Sequence, residues 1–338
     1  MVSDAHLCYH VVAMLEFSPN NAKLEKEITA LLDSIEQKRG RKVVCFHQGR
    51  GDTPNHHEFD DGACTRLAKS LEQLGKQERL SILVESPGGD IDCAFRSVRI
   101  LRHQTSDVEV LVPRYAKSAA TFFCLAADTI YMGRDAELGP LDTQLRDPRG
   151  SVRPRSALNA FKSLEYLRQY LLETLDQVVV TLMMHGGMDI PFALEAARPL
   201  VADIVTPLYQ QVDPHELGEA RRSLAVGEEY SKMVMGRYSY RNLSEREIEK
   251  IVRTLVWEYP SHGFIIDLEE AKRIGLNAKP LDEETAALCS KFVSLVNYCY
   301  GFAETAEKHR TRRRSASKAA DGGEPSHGEE TSQRSDGQ

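Results

Sequence analysis

The feature that most constrains the fold is an alternation of short apolar runs with amphipathic segments between residues 41 and 133. The apolar runs are "RKVVCFH" (41–47), "LSILVE" (80–85), "DVEVLVP" (107–113) and "TIYMG" (129–133). Their length and composition are typical of buried strands, whereas the segments between them repeat apolar residues at helical spacing. Because strands that alternate with helices form parallel sheets with right-handed crossovers, the sequence predicts an α/β fold with a mostly parallel sheet.

A helix over 22–38 precedes this region, and the pattern becomes mainly helical after about residue 155. The predicted helical segments are a long one from about 156 that Gly186 and Gly187 close, then 191–210, 244–256, a helix between Asp267 and Gly275, and 287–308. We therefore expect a core over 1–155 and a helical region over 156–305 that completes the fold. Residues 306–338 are too poor in apolar residues to fold, and we expect a disordered polar tail.

Composition and charge exclude several classes of protein. The net charge of −7 offers no electrostatic basis for binding nucleic acid. No run approaches the ~18 apolar residues of a membrane-spanning helix, and the first residues make a poor signal peptide, so a cytoplasmic location is expected. The seven cysteines form no CxxC pair, which favours buried free thiols over disulfides or zinc. The pair His56-His57 is interpreted as a solvated loop, and no metal or cofactor is expected.

Two short segments carry the candidate chemistry. "SPGGDID" follows the strand 80–85, at the sheet edge where parallel folds bind ligands. Its glycines, Gly88 and Gly89, either form a tight turn or present backbone N–H groups to a cleft. "YAKSAAT" follows the next strand, and its Ser118 is either the N-cap of a small-residue helix or a nucleophile. In the second case the N–H of Ala119 and a glycine N–H would form an oxyanion hole.

The joint pattern of PGG, YAKSAAT, an alanine-rich helix and ELGPLD resembles the serine dehydrogenase proteinase family. These are Clp-class serine peptidases of the Clp/crotonase superfamily, related to signal peptide peptidase A. The resemblance spans about 78–145 and resumes at "YPSHGFIIDLEEAKRIGLNAK" (259–279). It implies a Clp/crotonase-like fold, a peptide or protein substrate, Ser118 as nucleophile, and an oxyanion hole from Gly88 or Gly89 and Ala119. It also implies a homo-oligomer, with contacts in the helical region.

The general base stays open at this point. The Clp proteolytic subunit has a histidine about two dozen residues after its serine, but this chain has "GPLDTQL" there. Relatives with a Ser-Lys dyad place the lysine about forty residues on, and Lys162 is the nearest match. A lysine base must be buried to lose its proton, and a solvated helix lysine is the alternative for Lys162. Further candidates for accessory roles are Lys117, Asp142 and His262; a core role for His262 is favoured.

Two other functions remain compatible with the sequence. The missing histidine is compatible with an inactive peptide-binding or scaffold protein on the same fold. A crotonase-like acyl-CoA enzyme would share the oxyanion hole and require a glutamate nearby, for which Glu137 is the candidate. We take a serine endopeptidase as the leading hypothesis.

Overall fold

A parallel five-stranded sheet forms the centre of the computed structural model, which describes residues 22–47, 59–145 and 155–295. The strands are β1 (Lys42–His47), β2 (Gln77–Glu85), β3 (Thr105–Val112), β4 (Tyr115–Ala116), β5 (Thr129–Met132), β6 (Glu137–Leu138), β7 (Gln144–Leu145), β8 (Arg155–Ser156) and β9 (Ala278–Pro280). The main sheet has the order β1-β2-β3-β5-β9, while β4 pairs with β6 in parallel and β7 pairs with β8 in an antiparallel hairpin. The predicted α/β class with a mostly parallel sheet is confirmed.

Helices connect the strands and form the second half of the chain. They are α1 (Ala22–Arg39), α2 (Asp61–Leu74), α3 (Ile91–Gln104), α4 (Ala119–Cys124), α5 (Ala157–Gly186), α6 (Ile190–Tyr209), α7 (Pro214–Val234), α8 (Glu245–Arg253) and α9 (Leu268–Arg273). Residues 283–295 are also helical, and π-helical turns follow α7 and α8. Helix α7 is not predicted from the sequence, because its first three turns carry few apolar residues. Asp213 caps it by accepting a hydrogen bond from the His215 N–H at 2.8 Å.

Two hydrophobic clusters cover the two faces of the sheet. The larger one joins alternate strand residues to α2, α3, α4, α7 and α8. The smaller one joins Ile28 and Leu32 of α1 to Leu83, and to Phe292 in the helical residues 283–295. After the helices α5 to α9, the chain therefore returns to the main sheet. Strand β9 pairs with β5 at one edge, and the helical residues 283–295 pack on the face that α1 covers.

The helices α5 and α6 form a hairpin, hereafter the arm. Gly187 ends α5 in the left-handed conformation at φ 64°, and Asp189 caps α6. Four small side chains of α6 are buried: Ala193, Ala197, Val201 and Val205. No residue of α6 belongs to either hydrophobic cluster of the described chain. Of α5 only Ala157 does, with Ala160 and Phe161 packed against it, so the arm beyond the first turns of α5 lies outside these clusters.

The predictions on cysteines, the histidine pair and the polar tail fall partly inside and partly outside the described ranges. Cys45, Cys64, Cys93, Cys124 and Cys289 are free and buried, as predicted. Cys8, Cys299, the His56-His57 pair and the polar tail lie outside the described residues. Across the described ranges no helix combines the length and apolar character needed to cross a membrane. The same ranges hold no cluster of three or more metal-ligating side chains.

Candidate active site

The glycine turn after β2 lies directly against Ser118. Gly88 and Gly89 have φ of 114° and 137°, a region that other residues rarely adopt. A Cβ atom on Gly88 would lie 2.8 Å from both the Ser118 Cβ and the Lys117 carbonyl oxygen. Only glycine fits this contact. The PGG motif therefore lets the glycine turn pack directly against the serine turn, in addition to reversing the chain.

Ser118 has a strained backbone and an uncommitted hydroxyl. Its φ of 50° and ψ of −120° make it the only non-glycine residue with positive φ in the described ranges. It occupies the N-cap position of α4, but its side chain makes no capping hydrogen bond. The capping alternative from the sequence therefore has no hydrogen bond to support it. Strain of this kind costs about 1–3 kcal/mol and clusters at functional sites.

The two turns are held together by backbone hydrogen bonds around Ser86. The Ser86 N–H donates to the Tyr115 carbonyl oxygen at 3.1 Å, and the Lys117 N–H donates to the Ser86 carbonyl oxygen at 3.0 Å. Beside them, the Arg114 guanidinium makes a two-pronged ion pair with the fully buried carboxylate of Glu85. The glycine turn and the serine turn consequently share one rigid frame.

Two backbone N–H groups remain available next to Ser118. The Gly88 N–H donates to the Ser86 hydroxyl at 3.1 Å. The N–H groups of Gly89 and Ala119 donate to no acceptor within the described part of the chain. Ala119 is the first residue of α4, where the helix itself offers no acceptor. Of the glycines named from the sequence, Gly89 is the one with an unused donor.

A buried carboxylate and a histidine meet at the same edge. The Asp142 Oδ1 atom lies 2.9 Å from the His262 Nδ1 atom, although 120 residues separate them. The Asp142 side chain is 2% exposed and that of His262 is 22% exposed. An ionised carboxylate can only accept, so Nδ1 is the donor in this contact, and Nε2 of a neutral imidazole is then an acceptor. At this exposure His262 is half-buried and is not a core residue, in contrast to the core role favoured from the sequence.

The backbone around Leu138 brings these residues to the serine turn. Ala116 pairs with Leu138 through β4 and β6, and Leu138 in turn exchanges two backbone hydrogen bonds with Ile266, of 2.9 and 3.1 Å. Ser118 follows Ala116 by two residues, whereas Asp142 follows Leu138 by four and His262 precedes Ile266 by four. Three adjacent segments thus deliver Ser118, Asp142 and His262 to one edge of the fold.

The loop that carries His262 is held on both sides. The rings of Tyr259 and Phe264 stack with centroids 4.6 Å apart, and the Tyr259 hydroxyl donates to Glu270 at 2.8 Å. Burial and this hydrogen bond raise the pKa of Tyr259 above its usual range. The imidazole is therefore presented by an anchored turn.

Asp142 has a second partner that the sequence analysis did not identify. The hydroxyl of Ser156 donates to Asp142 Oδ2. The Ser156 Oγ atom also accepts a hydrogen bond from the Leu158 N–H at 3.1 Å and so caps α5. The hairpin of β7 and β8 places Ser156 there, by pairing it with Gln144. A serine before a long helix signals an N-cap, but nothing in the sequence links that cap to a carboxylate fourteen residues earlier.

The two lysines named from the sequence have other partners. The Lys162 side chain is 49% exposed on α5 and lies 3.4 Å from Glu165, so it lacks the burial that a lysine base requires. The Lys117 ammonium donates to the Leu138 carbonyl oxygen at 3.1 Å and forms an ion pair with Glu137. No contact within the described ranges joins Lys162 to Ser118. Glu137, the glutamate that an acyl-CoA enzyme would need, is neutralised by Lys117.

Comparison with known proteins concerns the first half of the chain, which includes the glycine turn and the serine turn. Residues 6–154 match the family described as ClpP-like SDH-type serine proteinases. An uncharacterized protein of Methanocaldococcus jannaschii is 33% identical over 79 residues, which cover 23% of this chain and 28% of that protein. A second uncharacterized protein of the same organism is 24% identical over 116 residues, which cover 33% of this chain and 40% of that protein. The chain thus matches less than half the length of these relatives.

The family resemblance inferred from the sequence is confirmed. The matched residues include β1 to β6, the glycine turn and the serine turn, and they end before the arm begins. Over residues 6–154, which are less than half of its length, the chain is similar to the ClpP-like SDH-type serine proteinases.

Proposed function

We propose that this protein is a serine endopeptidase in which Ser118 is the nucleophile, His262 the general base and Asp142 the group that orients the histidine. The observation that carries the proposal is the 2.9 Å contact between Asp142 and His262, at the edge where the strained Ser118 lies. The proposal gives His262 the role of general base, for which Lys162 was the candidate from the sequence.

The proposed reaction begins with attack of the Ser118 Oγ atom on the carbonyl carbon of a peptide bond. The hydroxyl proton passes to Nε2 of His262, and the positive charge that develops on the imidazole is stabilised by Asp142. The His262 proton is then given to the leaving amine, and water hydrolyses the remaining ester by the same route. General base catalysis of this kind contributes typically 10²–10⁴-fold to the rate.

The negative charge of the tetrahedral intermediate needs two donors. The N–H groups of Gly89 and Ala119 are the candidates, since they flank Ser118 and have no acceptor in the described chain. Each such donor is worth about 2.7–4 kcal/mol of transition-state stabilisation where it has been removed in other enzymes. Gly88 would act by its small size, because it lets the donor turn touch the serine.

Labelling with a fluorophosphonate serine probe tests the proposal, with peptide mapping of the modified residue. We expect labelling of Ser118 in the wild-type protein and in Lys162→Ala, and strong loss in Ser118→Ala and His262→Ala. Ser163→Ala, a serine substitution on the exposed face of α5, is the matched control and should label normally. Labelling that survives in His262→Ala but disappears in Lys162→Ala would restore the lysine mechanism. A folded wild-type protein without labelling would favour a peptide-binding role.

A further inference from the structure

The hydroxyl of Ser156 lies between the buried Asp142 carboxylate and the first turn of α5. It donates to Asp142 Oδ2, and its Oγ atom accepts a hydrogen bond from the Leu158 N–H at 3.1 Å. We infer that Ser156 is a positioning residue, which fixes the Asp142 carboxylate so that its other oxygen faces the imidazole of His262. This inference rests on the proposed function, because it assigns Ser156 a part in holding the proposed general base.

The Asp142 carboxylate depends on these two contacts. Its side chain is 2% exposed, so water has little access to it. Among the described residues its oxygens divide between two partners, with Oδ1 2.9 Å from His262 Nδ1 and Oδ2 accepting from Ser156. A buried charged group that loses a hydrogen bond keeps the cost of desolvation without the compensating contact. The hydroxyl of Ser156 therefore decides whether Oδ2 is satisfied.

The same hydrogen bond fixes how the carboxylate is turned. The torsion angle about the Cβ–Cγ bond of an aspartate is broadly distributed, so the side chain alone does not choose one orientation. Contacts at both oxygens leave an orientation that serves the two partners together. Without the Ser156 hydroxyl, the carboxylate could rotate, and Oδ1 would then move away from His262 Nδ1.

The position of Ser156 is set by the backbone around it. Strand β8 pairs Ser156 with Gln144 of β7, and the Ala157 N–H donates to the Thr143 carbonyl oxygen at 2.7 Å. Thr143 follows Asp142 directly in the sequence. The residues after Asp142 and the residues that begin α5 are thus joined, and this pairing carries the hydroxyl to the carboxylate.

A hydroxyl can fill both roles at once. It has one hydrogen to donate and two lone pairs with which to accept. The cap of α5 uses a lone pair of Ser156 for the Leu158 N–H, so the hydrogen remains for Asp142. Because the two roles use different parts of the hydroxyl, substitutions can remove one role and keep the other.

Asparagine and aspartate at position 156 separate the two roles. Both residues cap helices about as well as serine, through a side-chain oxygen. The asparagine amide can also donate to Asp142, whereas an ionised carboxylate has no hydrogen to donate. Ser156→Asn and Ser156→Asp are therefore matched in size and in capping, and they differ in the donor. Ser156→Ala removes the cap and the donor together.

The rate at which a fluorophosphonate probe labels Ser118 measures the effect. We expect the rate constant to fall about tenfold to a hundredfold in Ser156→Ala and Ser156→Asp, because misplacing a catalytic group by ~1 Å can cost about 10²-fold. Ser156→Asn should restore most of the rate. A loss of folding stability alone would not separate the Asn variant from the Asp variant.

Asp189→Ala is the matched control for the loss of a helix cap. Asp189 lies in the turn between α5 and α6, and it caps α6 by accepting from the Phe192 N–H at 3.3 Å. The thermal midpoint should fall in both Asp189→Ala and Ser156→Ala, since each loses an N-cap. Only Ser156→Ala should be labelled slowly. Circular dichroism checks that all the variants are folded.

Three results would overturn the inference about Ser156 and leave the proposed function in place. One is a wild-type labelling rate in Ser156→Ala or Ser156→Asp. Another is an equal rate in Ser156→Asn and Ser156→Asp, because the donor would then have no effect. The third is slow labelling in Asp189→Ala, because the loss of a cap would then account for the result.

Failure of the proposed function gives a different result. Labelling that persists in Ser118→Ala or in His262→Ala would overturn it, since the probe would then react without the proposed nucleophile or base. A folded wild-type protein that is not labelled would overturn the proposed function and this inference together.

Discussion

The sheet and the arm use similar apolar residues in opposite ways. In β2 the six residues from Leu80 to Glu85 are all buried, since parallel strands are covered on both faces. In α6 the larger apolar residues Ile190, Phe192, Leu200 and Ile204 are exposed, and the small ones are buried. Burial in the core is thus complete within one chain, whereas burial in the arm is only half complete.

The sheet therefore positions the candidate catalytic residues, whereas the arm exposes an apolar surface. Ser118 has a strained backbone and the glycine turn is crowded, so both need rigid surroundings. The buried residues at this edge of the sheet supply them. The arm begins at Ser156, directly beside Asp142, but its remaining length carries no proposed catalytic residue. Substitutions in the two parts should therefore differ in which property they change.

The largest expected effect on folding is in the core. Phe46 is fully buried, with its ring 4.4 Å from that of Phe59 and 5.7 Å from that of Phe123. Phe46→Ala should lower the free energy of unfolding by about 3–5 kcal/mol, because it leaves a cavity between packed rings. Phe192→Ala in the arm should change it by less than about 0.5 kcal/mol in the monomer. Urea unfolding of both variants checks the contrast, and equal losses would contradict it.

A second contrast uses two glycines with positive φ. Gly88→Ala should abolish labelling of Ser118, because the new Cβ would meet the Ser118 Cβ and the Lys117 carbonyl oxygen at 2.8 Å. Gly187 in the arm also has positive φ but faces open space. Gly187→Ala should cost about 1–2 kcal/mol of helix-end stability and leave labelling intact. Probe labelling and thermal unfolding of the two variants measure both effects, and comparable labelling would refute the crowding argument.

The smallest expected effect on the candidate site comes from a stabilising substitution in the arm. Pro199→Ala restores a backbone donor inside α6, where proline is about 3 kcal/mol less favourable than alanine. Amide hydrogen exchange over residues 190–209 should slow, while labelling of Ser118 stays at the wild-type rate. Unchanged exchange would contradict the claim that Pro199 weakens α6.

Much of the fold could be predicted from the sequence, because local pattern determines it. A few neighbouring residues are enough to predict the strands around Val44, Ile82 and Val110. The same is true of the helix cap at Asp267. Helix α7 was missed because three of its five buried residues, Ala220, Gly227 and Ser231, are small or polar and do not form an apolar stripe. A helix is recognised in a sequence by large apolar residues that recur at helical spacing, and small residues contribute little to that pattern.

The site divides in the same way. Ser118 and the glycine turn were predicted because they lie at the ends of adjacent strands. The pairing of Asp142 with His262 depends on the contact between Leu138 and Ile266, which joins segments 128 residues apart. No short stretch of sequence indicates such a contact. The hypothesis that Lys162 is the general base relied only on its spacing from Ser118. The same limit applies to Ser156, whose capping role is local but whose contact with Asp142 is not.

The most direct test of the central claim compares His262→Ala with Lys162→Ala in one assay of probe labelling at Ser118. The account predicts that labelling is nearly lost in the first variant and unchanged in the second, with both proteins folded by circular dichroism. Retained labelling in His262→Ala, together with its loss in Lys162→Ala, would contradict the account and make α5 the source of the general base.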